Sequence, residues 1–242
     1  MMDPILQPVD DKLRNQAQAI ALLQSAVDLQ KSVTVFDNLE FLPWLLAPGA
    51  SANTGSTGNL TIATQSVPTT TCAWFKTQPH GEYANAYWYV KNGPLPKAVT
   101  FKYELSLMFA TSADAAASQA VELDIQQVIA GMVYNTGLQW NFQGNQLRVW
   151  NRQGKAWVAT GNPCPRWTPG QWMRVVFETH RDDAKVYHDA VTMNGIRTSL
   201  GQSFSSVNLG LSDMLNCAVQ LDGNQSATPY AIYRDATRFT AS

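Results

Sequence analysis

Two periodicities divide this chain. Over residues 11–31, Leu13, Ile20 and Val27 recur every seven positions, Leu23 adds a second stripe position, and no Gly or Pro interrupts. That spacing predicts an amphipathic helix, either packed on the rest of the chain or serving as a short oligomerising stalk. From Ser32 onward the period becomes two. Strands are predicted over 60–65, 84–90, 99–109, 120–127, 137–142, 146–151, 171–179, 185–193, 215–222 and 230–240. Turn signals separate them, among them Asn92-Gly93-Pro94, Gln143-Gly144-Asn145, Gln153-Gly154, Pro169-Gly170 and Asn194-Gly195. Residues 47–58, rich in Gly, Ser, Ala, Asn and Thr, read as an exposed loop, and Ala-rich 110–119 as a short helix or loop. Many short strands with no second helical region predict an all-β, two-sheet antiparallel jelly-roll sandwich over 32–242, preceded by one N-terminal amphipathic helix over 1–31.

Alternation also sorts each strand into two faces. In 120–127, Val121, Leu123 and Ile125 are apolar, while Glu122, Asp124 and Gln126 share the other side. Two acids on one half-buried strand are costly without partners or a task, which marks Glu122 and Asp124 as candidate catalytic residues. Elsewhere the predicted core sets are Phe101, Tyr103, Leu105, Leu107 and Phe109; Leu138, Trp140 and Phe142; Leu147 and Val149; Met173, Val175 and Phe177; and Leu215, Cys217, Val219 and Leu221. The opposite faces then offer Asn85, Tyr87, Tyr89, Gln139, Arg148, Trp150, Trp172, Arg174 and Gln220. Together with Gln126 these are the candidate ligand-binding residues. Amides and carboxylates hydrogen-bond to vicinal hydroxyls and aromatic planes cover C–H faces, so such a surface suits a sugar. It is also what the solvated side of an ordinary antiparallel sheet offers.

Composition narrows the classes. At 45% hydrophobic and 14% charged residues, the chain is built to pack a core. A net charge of −1 gives no electrostatic footprint for nucleic acid or an anionic membrane. No apolar run approaches the roughly 20 residues of a membrane span, and the first residues lack a basic segment followed by an apolar one, so no signal peptide is read. Cys72, Cys164 and Cys217 are scattered and the three His are isolated, which argues against structural zinc. One disulfide plus one thiol is compatible with the count.

Several stretches resemble a family of uncharacterised secreted β-sandwich proteins of soil bacteria within the concanavalin A-like lectin/glucanase superfamily. They are the runs that begin at Tyr83, Phe101, Ala120 and Trp157, the strand after Trp172, and the runs that begin at Thr192, Val219 and Pro229. The resemblance implies a sandwich over about 35–240, a secreted or cell-surface location, and polysaccharide or oligosaccharide as partner. It implies no cofactor beyond a structural calcium ion, and any bridge of Cys164 would run to Cys72 or Cys217. Glucanases of this superfamily carry Glu-x-Asp-x-Glu or a bulged Glu-x-Asp-x-x-Glu on one strand. Here Gln126 and Gln127 occupy both candidate third positions, and an amide cannot deliver a proton as general acid. The favoured expectation is a lectin-like binding protein without catalysis. The alternatives are a glycoside hydrolase with Glu122 as nucleophile, Asp124 as its electrostatic partner and an acid from Glu104, Glu178 or Asp222; a lyase using Tyr87 or a His with Arg148 or Arg174; and an adhesive subunit assembled by the N-terminal helix.

Overall fold

The computed structural model describes Gln16 and residues 33–37, 44–47, 58–66, 71–77, 82, 83 and 85–242. The helix expected over 11–31, the oligomerisation assigned to it, and all but the ends of the loop expected over 47–58 lie outside the described residues. Period-two alternation becomes strand wherever it was read. Val33–Asp37 (β1), Leu45–Ala47 (β2), Gly58–Ser66 (β3), Thr71–Thr77 (β4), Asn85–Asn92 (β5) and Thr100–Phe109 (β6) lead into the short helix Ser112–Ala117 (α1). Ser118–Ile129 (β7), Gly131–Asn141 (β8), Gln146–Asn151 (β9), Ala156–Pro163 (β10) and Met173–Arg181 (β11) follow. Lys185–Met193 (β12), Ile196–Ser205 (β13), Val207–Leu211 (β14), Met214–Gly223 (β15) and Ala231–Ala241 (β16) complete the chain.

The strands pair, mostly antiparallel, into two eight-stranded sheets. The first runs β13-β12-β11-β6-β16-β4-β3 with β1 beside β16. The second runs β10-β9-β8-β7-β15-β5-β2 with β14 beside β8. Residues 34–241 form one compact unit, an all-β sandwich. Its core joins the inner faces of both sheets: Tyr103, Leu105, Val175 and Phe177 of the first lie in one buried cluster with Val121, Leu123, Leu138 and Val219 of the second. These are the positions that alternation assigned to the core. Phe142 is the exception, half-buried at the sandwich edge against Phe109 and Trp167.

Two local devices set the end of the second sheet that matters below. Helix α1 is capped by Thr111, whose hydroxyl accepts from the Asp114 amide at 3.1 Å while the Asp114 carboxylate accepts from the Thr111 amide at 3.2 Å. The other Asp114 oxygen accepts from the Ala231 amide, tying the helix to β16. Tyr230, fully buried, donates its hydroxyl to the carbonyls of Asp222 at 2.9 Å and Ala120 at 3.2 Å, pinning the ends of β15 and β7 side by side.

Cys72, Cys164 and Cys217 are buried and none is joined in a disulfide. Burial holds the Cys164 thiol up at about 12 and the Cys217 thiol at about 11, so both stay protonated and inert. No helix among the described residues is long and apolar enough to cross a membrane.

Candidate functional site

The site is an array of side chains on the outer face of the second sheet, and strand register builds it row by row. One row joins Arg148 of β9, Gln139 of β8, Glu122 of β7, Gln220 of β15, Tyr87 of β5 and Ala47 of β2. The adjacent row on one side joins Trp157 of β10, Trp150 of β9, Gly137 of β8, Asp124 of β7 and Ala218 of β15. On the other side Asp222 of β15 pairs with Asn85 of β5 and Ala120 of β7. Beyond the Asp124 row, Gln126 of β7 pairs with Asn135 of β8. A cleft of about 480 Å³ opens over this floor, lined by Asn85, Tyr87, Glu122, Asp124, Gln126, Asn135, Trp150, Arg152, Trp157, Gln220 and Ala47.

Glu122 and Asp124 stand on the polar side of their strand, yet only 3% and 8% of their surface is exposed. Neighbouring side chains close over them. Trp150 and Trp157, with ring centroids 5.2 Å apart and planes tilted by 56°, stand over the Asp124 row. Gly137 makes room for them: a methyl group there would lie 2.5 Å from Asp124 Oδ1, 3.0 Å from Trp150 Cβ and 3.1 Å from Trp157 Cη2. This glycine is required for space, since it is not among the residues with positive φ.

Gln139 Nε2 donates to Glu122 Oε1 at 2.6 Å, and Gln220 Nε2 donates to Asp222 Oδ1 at 2.8 Å. Glu122 and Asp222 also hydrogen-bond to each other. Burial raises the Glu122 carboxyl well above its usual range. The charge and hydrogen bond of Asp222, then the charge of Asp124, push it further, against the opposing bond from Gln139. Asp222 is raised by burial, while the bonds from Glu122, Gln220 and Asn85 favour its ionised form. Asp124 is pushed up to about 7 by burial and by Asp222, with Arg152 pulling the other way.

These shifts have a sign in stability. A carboxyl whose folded pKa exceeds its unfolded one binds more protons when folded, so its ionisation destabilises the fold as pH rises. For Asp124 the penalty is absent below its ordinary 3.8 and complete above about 7. His188 works oppositely: buried, and held down to about 3, it costs stability as pH falls below its ordinary 6.5. The melting temperature of Asp124→Asn minus that of the parent should therefore increase steadily between pH 4 and pH 8. A difference independent of pH would contradict the buried, uncompensated Asp124.

Of the residues singled out from sequence, Asn85, Tyr87, Glu122, Asp124, Gln126, Trp150 and Gln220 line one cleft. Tyr89, Gln139 and Arg148 share that face by register without lining the cleft. Trp172 and Arg174 are placed elsewhere. Trp172 immediately precedes β11, and Arg174 lies on β11 of the first sheet, where it donates to the Ala236 carbonyl and pairs with Glu104 at 3.4 Å. Alternation places a residue on one side of its own sheet but does not say which sheet, hence the error. Glu104 and Glu178, two of the candidate acids, are on the first sheet too, paired with Lys102 and Arg174, and with Arg197. Asp222, the third, is in the site.

Gln127 is also displaced from its expected role. The β7 ladders run without a bulge from Glu122 to Gln127, so Gln126 faces the cleft and Gln127 the opposite side. There Gln127 Nε2 donates to the carbonyls of Leu95 at 2.7 Å and Ala98 at 3.2 Å, and its oxygen accepts from Arg181 Nε. Of the lyase candidates, Tyr87, its phenol raised by burial, and Arg148 stand on this face, whereas His180, His188 and Arg174 lie on the first sheet and His80 lies outside the described residues.

Sequence reasoning missed Ala47, Asn135, Arg152 and Trp157. Extending the alternation of β8 back from Leu138 through Thr136 to Tyr134 would have found Asn135. The Gln153-Gly154 turn predicts a hairpin that carries Trp157 opposite Trp150. Nothing in the sequence places Ala47. Among the described residues no group of three His, Cys, Asp or Glu is arranged to hold a metal ion.

The two sheets define a class by fold alone: an all-β two-sheet sandwich. Among solved structures the chain is similar to arcelin-5, a lectin-like defence protein from Phaseolus vulgaris, with TM-score 0.54, 8% identity, and coverage of 87% of this chain and 98% of that one. It is similar also to lectin I from Ulex europaeus, solved in complex with the methyl glycoside of α-L-fucose (TM-score 0.50, 8% identity, 88% and 99% covered). A third is the cellulose-induced protein Cip1 (TM-score 0.50, 12% identity, 81% and 90% covered). No protein-family model matches the sequence, and no curated protein sequence matches it. At these identities the likeness shows the fold alone.

Proposed function

We propose that this chain binds an oligosaccharide or polysaccharide in the cleft on the outer face of its second sheet and does not cleave it. The cleft offers what a sugar needs: amides, carboxyls and Tyr87 for hydroxyl groups, and the Trp150–Trp157 pair for a C–H face. The lectin-like fold, and the fucoside held by the Ulex europaeus lectin of similar fold, support the reading. A glycan partner places the protein's work outside the cell or on its surface.

One observation carries the non-catalytic half: the third position of the glucanase pattern that faces the cleft is an amide, Gln126. Glycoside cleavage needs two carboxyls flanking the scissile bond, about 5–5.5 Å apart for retention or 6.5–9.5 Å for inversion. An amide cannot give the proton that such cleavage needs. Glu122 and Asp124 then serve as a hydrogen-bonding floor instead of nucleophile and partner.

The test is a tryptophan-fluorescence titration against a glycan panel, run beside a reducing-end assay. Saturable binding is expected, weakened about tenfold, or about 1.4 kcal/mol, in Trp150→Ala, with no new reducing ends. Robust hydrolysis abolished by Glu122→Gln would overturn the non-catalytic reading in favour of a hydrolase that uses Asp222. Failure to bind any glycan would overturn the binding reading.

A further inference from the structure

Resting on that reading of the cleft, we infer that its preferred ligand is a glycan bearing a protonated amino group, whose ammonium seats between the Asp124 carboxylate and the Trp150–Trp157 corner. Two observations converge on that corner.

The first is shape. Asp124 Oδ1, Trp150 Cβ and Trp157 Cη2 all lie between 2.5 and 3.1 Å from the single point where a Gly137 side chain would begin. The close packing at Gly137 sets the Asp124 carboxylate beside the Trp150–Trp157 pair, and all three side chains line the cleft. Cations are held by such combinations, because an indole face is electronegative and a carboxylate adds full charge.

The second is charge. Glu122, Asp124 and Asp222 form the acidic floor, with Tyr87 beside them. Arg152 is the one cation among the described lining side chains. Arg148 turns toward Gly144, and Lys91 lies over Tyr89. Buried carboxyls without a matching cation are costly, and an ammonium group would supply the missing charge. A uronate would add a fourth carboxylate and be repelled.

Calorimetric titrations of the whole chain with four hexamers of similar length decide the matter: a β-1,4-glucosamine hexamer, its N-acetylated form, cellohexaose and a galacturonate hexamer. The glucosamine hexamer should bind at least about tenfold tighter than cellohexaose, the N-acetylated hexamer should resemble cellohexaose, and the galacturonate should bind weakest. In Asp124→Asn the preference should shrink to about twofold or less. Amine binding should release a proton from the cleft carboxyls, read as an enthalpy that varies with the buffer's heat of ionisation; cellohexaose should show no such variation. Cellohexaose binding as tightly as the amine, or a preference that survives Asp124→Asn, would overturn the inference and leave glycan binding standing. Should the variant fold poorly, the parent's selectivity and proton release still decide. If none of the hexamers binds and the wider panel is also negative, the glycan reading falls and the amine preference with it.

Discussion

Gly137→Ala should cost this protein at least about tenfold in glycan affinity. The cause is steric. The added Cβ would stand 2.5 Å from Asp124 Oδ1, 3.0 Å from Trp150 Cβ and 3.1 Å from Trp157 Cη2. The Asp124 carboxylate is the free end of a short side chain and yields by rotating. Trp150 Cβ, one bond from its backbone, yields only if β9 moves away. The Trp pair then parts, and the corner that faces the ligand widens. Overpacking of this kind typically costs about 1–3 kcal/mol of stability, so the variant should fold, with a lowered melting temperature. Fluorescence titration beside thermal denaturation separates the two effects. Parent-like affinity in a folded variant would show that the ligand does not engage this corner.

The second large effect is expected at Gln127. Motif logic alone makes Gln127→Glu a repair that restores a missing acid. The structure predicts the reverse. The side chain lies across β7 from the cleft, donating to the Leu95 and Ala98 carbonyls and accepting from Arg181. A glutamate there turns an oxygen toward two carbonyls and loses one or both donor bonds. Leaving buried polar groups unpaired costs about 1–3 kcal/mol each. The variant should be destabilised by roughly 2–4 kcal/mol in urea titrations and should hydrolyse no glycan. Gain of hydrolysis would mean that the register of β7 in solution differs from the one described.

That contrast shows what alternation can deliver. A period of two fixed the side of each strand on which Glu122, Gln139, Trp150 and Gln220 stand, because a one-residue slip would bury all of those polar groups and expose Leu123 and Leu138. It also ranked Gln126 and Gln127 as alternatives, since only cross-strand pairing reveals whether a bulge intervenes. Pairing is a long-range property. β7 lies beside β15, about ninety residues downstream, and no local pattern announces that. Trp172 and Arg174 were misplaced for the same reason. Residues 71–77, which became β4, carry apolar side chains on both faces, Cys72 and Ala73 alike being buried, so they show no clean alternation. β13 fails in the opposite way: it lies at a sheet edge with Leu200 as its one fully buried apolar residue, too few to reveal a period.

The rows that cross the second sheet also act as a ruler. Neighbouring strands lie about 4.8 Å apart, and same-face residues along one strand about 6.8 Å apart. The row from Arg148 through Glu122 to Ala47 crosses six strands, β9, β8, β7, β15, β5 and β2. Its five steps span roughly 24 Å. A linear polymer laid along that row meets a polar side chain on each strand from β9 to β5, and the small Ala47 on β2. One laid along the strands meets fewer, more widely spaced ones. On the proposed reading, the pitch of the sheet suits extended, many-unit ligands better than single sugars, and chain length becomes a quantity that such a site would measure.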